Sequence, residues 1–576
     1  MEVLVLKCYM DDNFNHSDIA YDVPLHNSTF NDSNVKVSKA AEFGTLTGIV
    51  IALVINFIIS LEYHNKISDP LLKININEIL RVKNVVRTIA LVILVAVMPV
   101  VLAILLVASL YKLVCLLVLR QNDKRFVKFL DSFDVFWSLE DDVSKSIINV
   151  LGIIESESPQ TLVDNIKEKL ENLLLHEEAD KIFYRRNERY GFYYWRKFST
   201  IDINEYVQII DQPDETVLSM SDLEELMAKV AKKPLPYHDE GLFQILVTKN
   251  HLANNDINDN MKQEYGIIFR IHHSVGDGVA LIDFLCKTLA DETQPDTANM
   301  FNFREASTVN SNAPSDLMEM IRKLCEIPVC FVDGIVREAD DSSLHGPKLL
   351  GGKVFKWTKS DENLFLKVKE IKDKAEGLHF SDVLAAALSA GLHTFFSKTM
   401  TEVPETVAVV LPVRFPKPTT VDRRLDLKND FSVTTLDLPT KTRDNIHDIQ
   451  IRCRELRKSA DPITNYYFLK LVSGVLPRQL LQPLLNSSQA TLVFSNMPGP
   501  DRLTICGGNL LKQLVFFAPH KGTTGLGVTC LHYGGVLRFA AMADEALVSR
   551  ADDLDLILEG MVAEVNRLHR HYVTRG

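Results

Sequence analysis

Two uncharged apolar runs near the start of the chain restrict its architecture more than anything else in it. Gly44 to Leu61 is 18 residues without a charge, and Thr88 to Tyr111 is 24, extended past Lys112 by Leu113 to Leu119. Runs of this length predict membrane segments at 44–61 and 88–119 rather than buried core helices. As one helix, 88–119 would measure about 48 Å, against a hydrocarbon thickness of roughly 30 Å. Pro99 lies inside it and predicts a break into a re-entrant hairpin. Charge counting favours one span at 44–61 plus that hairpin over two spans. Lys66, Lys73, Arg81, Lys83 and Arg87 precede the second run, and Arg120, Lys124, Arg125 and Lys128 follow it. Cytosolic flanks carry the excess of Lys and Arg. The polar tail, 1–43, with sequons at Asn15, Asn27 and Asn31, is then lumenal, and residues 120–576 are cytosolic at the endoplasmic reticulum or plasma membrane.

The remainder has ordinary globular composition. Of 576 residues, 46% are apolar and 24% charged, which excludes disordered and collagen-like classes. A net charge of −12 gives no overall basic footprint and predicts no nucleic-acid partner. The eight cysteines form no C-x-x-C pair, so free thiols are expected rather than a zinc site or disulfide framework.

Beyond residue 120, strand and helix signals alternate. Leu162, Ile166, Leu170 and Leu173 keep helical spacing, while Phe243 to Thr248 and Gly266 to Ile271 are short, β-rich and bounded by turn residues. Strands recur at 353–357, 406–413, 431–436, 491–495 and 528–533. Helices are expected at 279–289, at 381–396 with Ser381 as N-cap, and at 551–570. The Gly-, Ser- and Asp-rich stretch 338–353 reads as a crossover linker. The predicted organisation is α/β, with one domain at 120–337, a second at 354–576, and a shared cleft as the default site.

One string carries chemistry: His272-His273-Ser274-Val275-Gly276-Asp277-Gly278, at a strand's end before a helix. H-H-x-x-x-D-G arises by chance in about one in a thousand chains of this length, so it carries weight. Consecutive strand residues face opposite sides, so one histidine can meet a cleft while its neighbour meets the packing layer. Gly276 and Gly278 permit a tight turn with positive φ, in which Asp277 can fold back onto backbone N–H groups or an arginine. No third ligand stands at metal spacing, and no G-x-S-x-G elbow is present.

On this motif the chain resembles the wax ester synthase/acyl-CoA:diacylglycerol acyltransferases, within the chloramphenicol acetyltransferase-like superfamily. Lys233-Pro234-Leu235-Pro236-Tyr237 resembles the family's R-P-L-W segment. Ser381 to Ala385 resembles N-D-V-x-L-A, Leu411-Pro412-Val413 with Asn429 resembles P-V…G-N, and Ser495 to Pro500 resembles S-N-V-P-G-P. The resemblance implies two chloramphenicol acetyltransferase-like domains around a central tunnel. It implies transfer of a long-chain acyl group from acyl-CoA, a co-substrate, to a fatty alcohol or diacylglycerol, with no cofactor and no metal. It makes His273 the general base, with His272 and Asp277 as supporting members of the motif; Arg414 is a candidate partner for Asp277, though sequence alone fixes no pairing. Gly278, Asn429, Ser495 and Asn496 are the substrate-side residues, the last three as oxyanion donors. Two alternatives remain: acylation of a small hydroxyl compound, and a non-catalytic lipid-binding or transfer protein on the same scaffold.

Overall fold

The computed structural model describes residues 73–175, 181–212, 217–253, 262–291, 323, 326–335, 337–399, 402–415, 425–485 and 489–574, with side chains from Val92 onward. The expected segment at 44–61 and the three sequons lie outside the described residues. The first element is helix α1, Lys73–Asn122, which is 50 residues long and contains Pro99. The expected hairpin at 88–119 is therefore corrected: the helix runs through the proline. Pro99 removes one backbone hydrogen bond, whereas turning an apolar chain back would leave several peptide groups unpaired. Its last 31 residues, Val92–Asn122, are long and apolar enough to cross a membrane.

The chain then runs β1 (Phe126–Phe129), α2 (Ser132–Ser138), β2 (Ile147–Ser156), α3 (Pro159–Leu173), β3 (Arg185–Arg189), β4 (Phe192–Arg196), α4 (Ile203–Tyr206) and β5 (Val207–Ile210). It continues through α5 (Met220–Ala231), β6 (Phe243–Thr248), β7 (Gln263–His272) and α6 (Gly278–Phe284), which ends in a π-turn at Leu285–Leu289. The second half holds β8 (Lys353–Trp357), α7 (Leu364–Lys374), α8 (Phe380–Thr399), β9 (Thr406–Val413), β10 (Ser432–Pro439), α9 (Ile446–Lys458), α10 (Asp461–Val475) and α11 (Arg478–Leu485). It closes with β11 (Leu492–Pro498), β12 (Thr504–Ile505), β13 (Asn509–Phe517), β14 (Leu526–Tyr533), β15 (Val536–Asp544) and α12 (Ala551–His569).

Two six-stranded sheets dominate. One has the order β12-β13-β2-β7-β6-β5, the other β10-β9-β11-β14-β15-β8. A clean division at 338–353 is thus corrected, because β12 and β13 return from the second half to the first sheet. Strand β13 pairs antiparallel with β2 from Leu511↔Ile154 to Phe517↔Asn149, covering what would otherwise be an open edge of a buried strand. Phe355, Val515, Phe517 and Met542 join Leu151 and Ile153 in one apolar cluster, so the two sheets share core. The expected cap at Ser381 also shifts. Helix α8 starts at Phe380, and buried Asp382 accepts the His379 N–H at 3.1 Å and both Arg457 guanidinium nitrogens at 2.6 and 3.1 Å.

Candidate active site

The motif begins where β7 ends. His272 is the last residue of the strand, opposite Ile147, and His273 follows with its N–H donating to the Ser146 carbonyl at 2.7 Å. Asp277 closes the turn as N-cap of α6, one carboxylate oxygen accepting the Ala280 N–H at 3.0 Å. Its second oxygen accepts the Asp430 N–H at 3.1 Å, and its own N–H donates to the Lys428 carbonyl at 3.2 Å. One side chain therefore starts a helix in the first half and clamps a loop of the second. Burial raises the Asp277 pKa, and the nearby Arg414 charge opposes that rise.

The glycines act differently from expectation. Neither Gly276 nor Gly278 adopts positive φ. Both are needed for space: a Cβ on Gly276 would sit 2.9 Å from the Ala280 Cβ, and one on Gly278 would overlap the Met497 thioether.

Around His273 the surroundings fix one tautomer. Asn429 donates both amide hydrogens, to Asp134 Oδ1 at 2.9 Å and to the His273 carbonyl at 2.7 Å. Its Oδ1 must then accept, and His273 Nδ1 lies 3.1 Å from it. The proton is consequently on Nδ1, which leaves Nε2 with a lone pair. Behind Asn429, Asp134 is paired with Lys181 at 2.9 Å, and Lys181 also donates to the Leu427 carbonyl at 2.9 Å. The Trp137 indole stacks on the imidazole with centroids 3.8 Å apart and planes at 13°. Burial pushes the His273 pKa down to about 3, outweighing the Asn429 hydrogen bond. The ring is neutral at physiological pH.

His272 is engaged at both nitrogens. Its Nδ1 accepts the Ser274 N–H at 3.1 Å and lies 2.6 Å from the Ser274 hydroxyl, while Nε2 lies 2.6 Å from Arg186 Nη1 and 3.3 Å from Glu140 Oε1. Arg186 is itself held by Glu140 at 2.7 Å, and Glu140 accepts the Ser146 N–H at 2.6 Å. Burial and the Arg186 charge lower the His272 pKa to about 4. The Ser146 peptide thus links the Glu140 cluster to the His273 backbone.

An apolar pocket with about 610 Å³ of empty volume adjoins the turn. Ile271 before the histidines and Gly278 after them stand in its wall, with Phe269, Leu281, Leu285 and Phe516 farther along it. Met497 lines it too, which brings the Ser495-Asn496-Met497 segment of β11 to the turn. Ser495 is half-buried and Asn496 exposed. The oxyanion role expected of Asn429 is corrected, since both of its N–H groups are already used.

Sequence reasoning missed Asp134, Trp137, Glu140, Lys181 and Arg186. The signal available was faint: an aromatic and acidic run, Phe133 to Glu140, ahead of the first long strand. Among the described residues, no group of three His, Cys, Asp or Glu is placed to hold a metal ion.

Residues 427–568, which include Asn429, Ser495 and Asn496, match the family model described as the WS/DGAT C-terminal domain. The chain is similar to the solved wax ester synthase/diacylglycerol acyltransferase from Marinobacter aquaeolei VT8, at 15% identity and a TM-score of 0.51, covering 77% of this chain and 99% of that one. It is also similar to the first condensation domain of the calcium-dependent antibiotic synthetase, at 14% identity and a TM-score of 0.50, covering 78% and 98%. At these identities the two structures establish a shared α/β fold of the chloramphenicol acetyltransferase and condensation-domain type. The C-terminal part of the chain, residues 427–568, is thus similar to the wax ester synthase/diacylglycerol acyltransferase family and is carried on that fold.

Proposed function

We propose that the protein is a membrane-anchored O-acyltransferase that moves a long-chain acyl group from acyl-CoA to a fatty alcohol or diacylglycerol. The observation that carries this reading is the free Nε2 of His273, its tautomer set by Asn429, on a turn that borders an apolar pocket. An alcohol is too weak an acid to attack a thioester unaided. His273 Nε2 takes its proton as the oxygen bonds to the thioester carbon, and the resulting imidazolium keeps its Nδ1–H on Asn429. The tetrahedral oxyanion then collapses, the carbon–sulfur bond breaks, and the CoA thiolate recovers the proton from Nε2. No covalent enzyme intermediate is needed. Ser495 and Asn496 are the proposed oxyanion donors, in place of Asn429.

Asp277 and His272 act as positioning groups in this scheme. Asp277 sets the distance between the motif and the 428–430 loop, and His272 ties the strand's end to the Arg186–Glu140 pair. Helix α1 supplies the anchor, with the catalytic region in the cytosol, where acyl-CoA is available. The test is transfer from labelled palmitoyl-CoA in purified membranes, with hexadecanol, diacylglycerol and sterol offered in parallel. Ester formed with hexadecanol or diacylglycerol supports the proposal. Acyl-CoA binding without any ester would make this a lipid-binding protein instead.

A further inference from the structure

Helix α1 stays apolar and exposed for longer than a bilayer requires. Exposed apolar side chains run from Val92 to Leu117, about 38 Å of helix against roughly 30 Å of hydrocarbon. The surplus lies alongside the catalytic region. Lys112 does not mark a water boundary, because its ammonium turns inward, donating to the Gly474 carbonyl at 2.6 Å and lying 5.1 Å from the Phe129 ring centroid. Beyond it Leu113, Val114 and Leu117 are again exposed, Leu117 by 59%. Ala108 belongs to the same apolar cluster as Val472, Leu476 and Leu481 of α10, α11 and their junction.

The outward faces of those two short helices are also apolar. Tyr467 and Leu471 on α10 stand one turn apart, in line with Gly474, which receives Lys112. Leu480 and Leu484 repeat the spacing on α11, and Leu471 and Leu480 are 52% and 51% exposed. The start of α11 is fixed to the same corner: the Arg478 N–H donates to the Gly191 carbonyl at 2.8 Å, and the Tyr111 hydroxyl donates to the neighbouring Tyr190 carbonyl at 3.2 Å. This apolar surface is therefore continuous with the exposed flank of α1. Exposed Arg120, Lys124, Arg125 and Arg189 accompany it, a basic rim suited to anionic headgroups.

We propose that α10 and α11 form a monotopic docking face, laid into the bilayer beside α1 with Tyr467, Leu471, Leu480 and Leu484 in contact with acyl chains. This rests on α1 being a membrane anchor. It brings the catalytic region onto the membrane surface rather than leaving it on a tether, at the level where α1 would otherwise expose about 8 Å of apolar helix to water. Four large exposed apolar side chains next to such a helix gain by leaving water together.

The full-length chain reconstituted into phosphatidylcholine/phosphatidylserine vesicles tests this, using Leu471→Trp and Leu480→Trp with lipids brominated on their acyl chains. Leu366→Trp, equally exposed but on α7, is the control. The expected result is loss of the added fluorescence at positions 471 and 480, and none at 366 or in the native chain. If the protein floats with the vesicles but probes 471 and 480 are unquenched, the docking face is overturned and the anchor stands. If it does not float with them, the anchor reading fails and the docking face with it. Unquenched probes with a doubled mass in detergent would assign the face to a second copy, which also overturns the proposal.

Discussion

The imidazole of His273 lies flat against the indole of Trp137, centroids 3.8 Å apart, while its Nδ1 edge meets Asn429 at 3.1 Å. One face and one edge of the ring are occupied, and neither contact uses Nε2. Replacing His273 with Ala is expected to lower ester formation by about 10²-fold or more, the usual contribution of a general base. The thermal midpoint should fall only modestly: the Trp137 stack and the Asn429 hydrogen bond are lost, while the Asp277 and Arg186 contacts stay. Turnover near that of the parent enzyme would remove His273 from the mechanism.

With His273 as the proposed base, its neutrality sets the acid side of the rate profile. With its pKa pushed down to about 3 by burial, it stays unprotonated across pH 5–8, where an ordinary histidine near 6.5 would titrate. The rate of transfer is therefore expected to be level from pH 5 to 7. Asn429→Asp puts a carboxylate on Nδ1–H and against Asp134, and the added negative charge favours the imidazolium and raises the pKa. An acidic limb should then move up toward neutrality, with kcat reduced more than KM. An unchanged profile in Asn429→Asp would show that Asn429 does not govern this ring.

The motif turn was legible in the sequence because its parts are contiguous: the strand, two histidines, the capping Asp277 and the helix occupy some twenty residues. The rest of the site is assembled across long separations. Asn429 is 156 residues from His273 and 295 from Asp134. The residue was found, but its role was misread, since sequence cannot say which amide atom faces which neighbour. Lys181 belongs to no local pattern and Trp137 only to a faint aromatic run, and both gain meaning only through contact. The glycines were misread for a related reason: Gly278 is small because Met497 approaches from 219 positions away, which no local turn rule contains. Likewise, Pro99 signals a break locally, yet a long apolar helix carries it through.

Asp277 joins two halves of the protein through two carboxylate oxygens, each accepting a backbone N–H. In Asp277→Asn one oxygen becomes an NH₂ group facing a donor. Leaving one such buried N–H unmet costs about 1–3 kcal/mol. Stability and activity should fall together, as the thermal midpoint and the transfer rate measured on one preparation would show. Lost activity at an unchanged midpoint and pH profile would instead give the carboxylate a direct chemical part.

Two buried imidazoles, His272 and His520, and the half-buried His273 make the fold sensitive to acid. Burial lowers His272 to about 4, His273 to about 3 and His520 to about 3, the last aided by the Lys353 charge. Each is neutral when folded but accepts a proton near 6.5 once unfolded. Their contribution is thus intact above pH 6.5 and lost as pH falls toward 4. Each imidazole costs roughly 1.4 kcal/mol per pH unit over that window. Denaturant midpoints should drop steadily between pH 6.5 and 4.5, and His520→Gln, outside the motif turn, should reduce the slope. A midpoint indifferent to pH in that range would contradict the neutral assignments.

The pocket predicts selectivity for chain length. Its lining along α6 places Leu281 and Leu285 farther from the motif than Gly278, so bulk added there shortens the space beyond the reacting atoms. Leu285→Trp fills part of the cavity, and forcing a long chain past it should cost about 1–3 kcal/mol, or 10- to 200-fold in kcat/KM. Shorter chains that end before the indole should be spared. Competition between long- and short-chain acyl-CoA at fixed alcohol, then between long and short alcohols at fixed acyl-CoA, separates the two substrates. Whichever shows the shift occupies this pocket. If neither ratio moves while the variant remains folded, both chains run elsewhere and the pocket has no part in binding them.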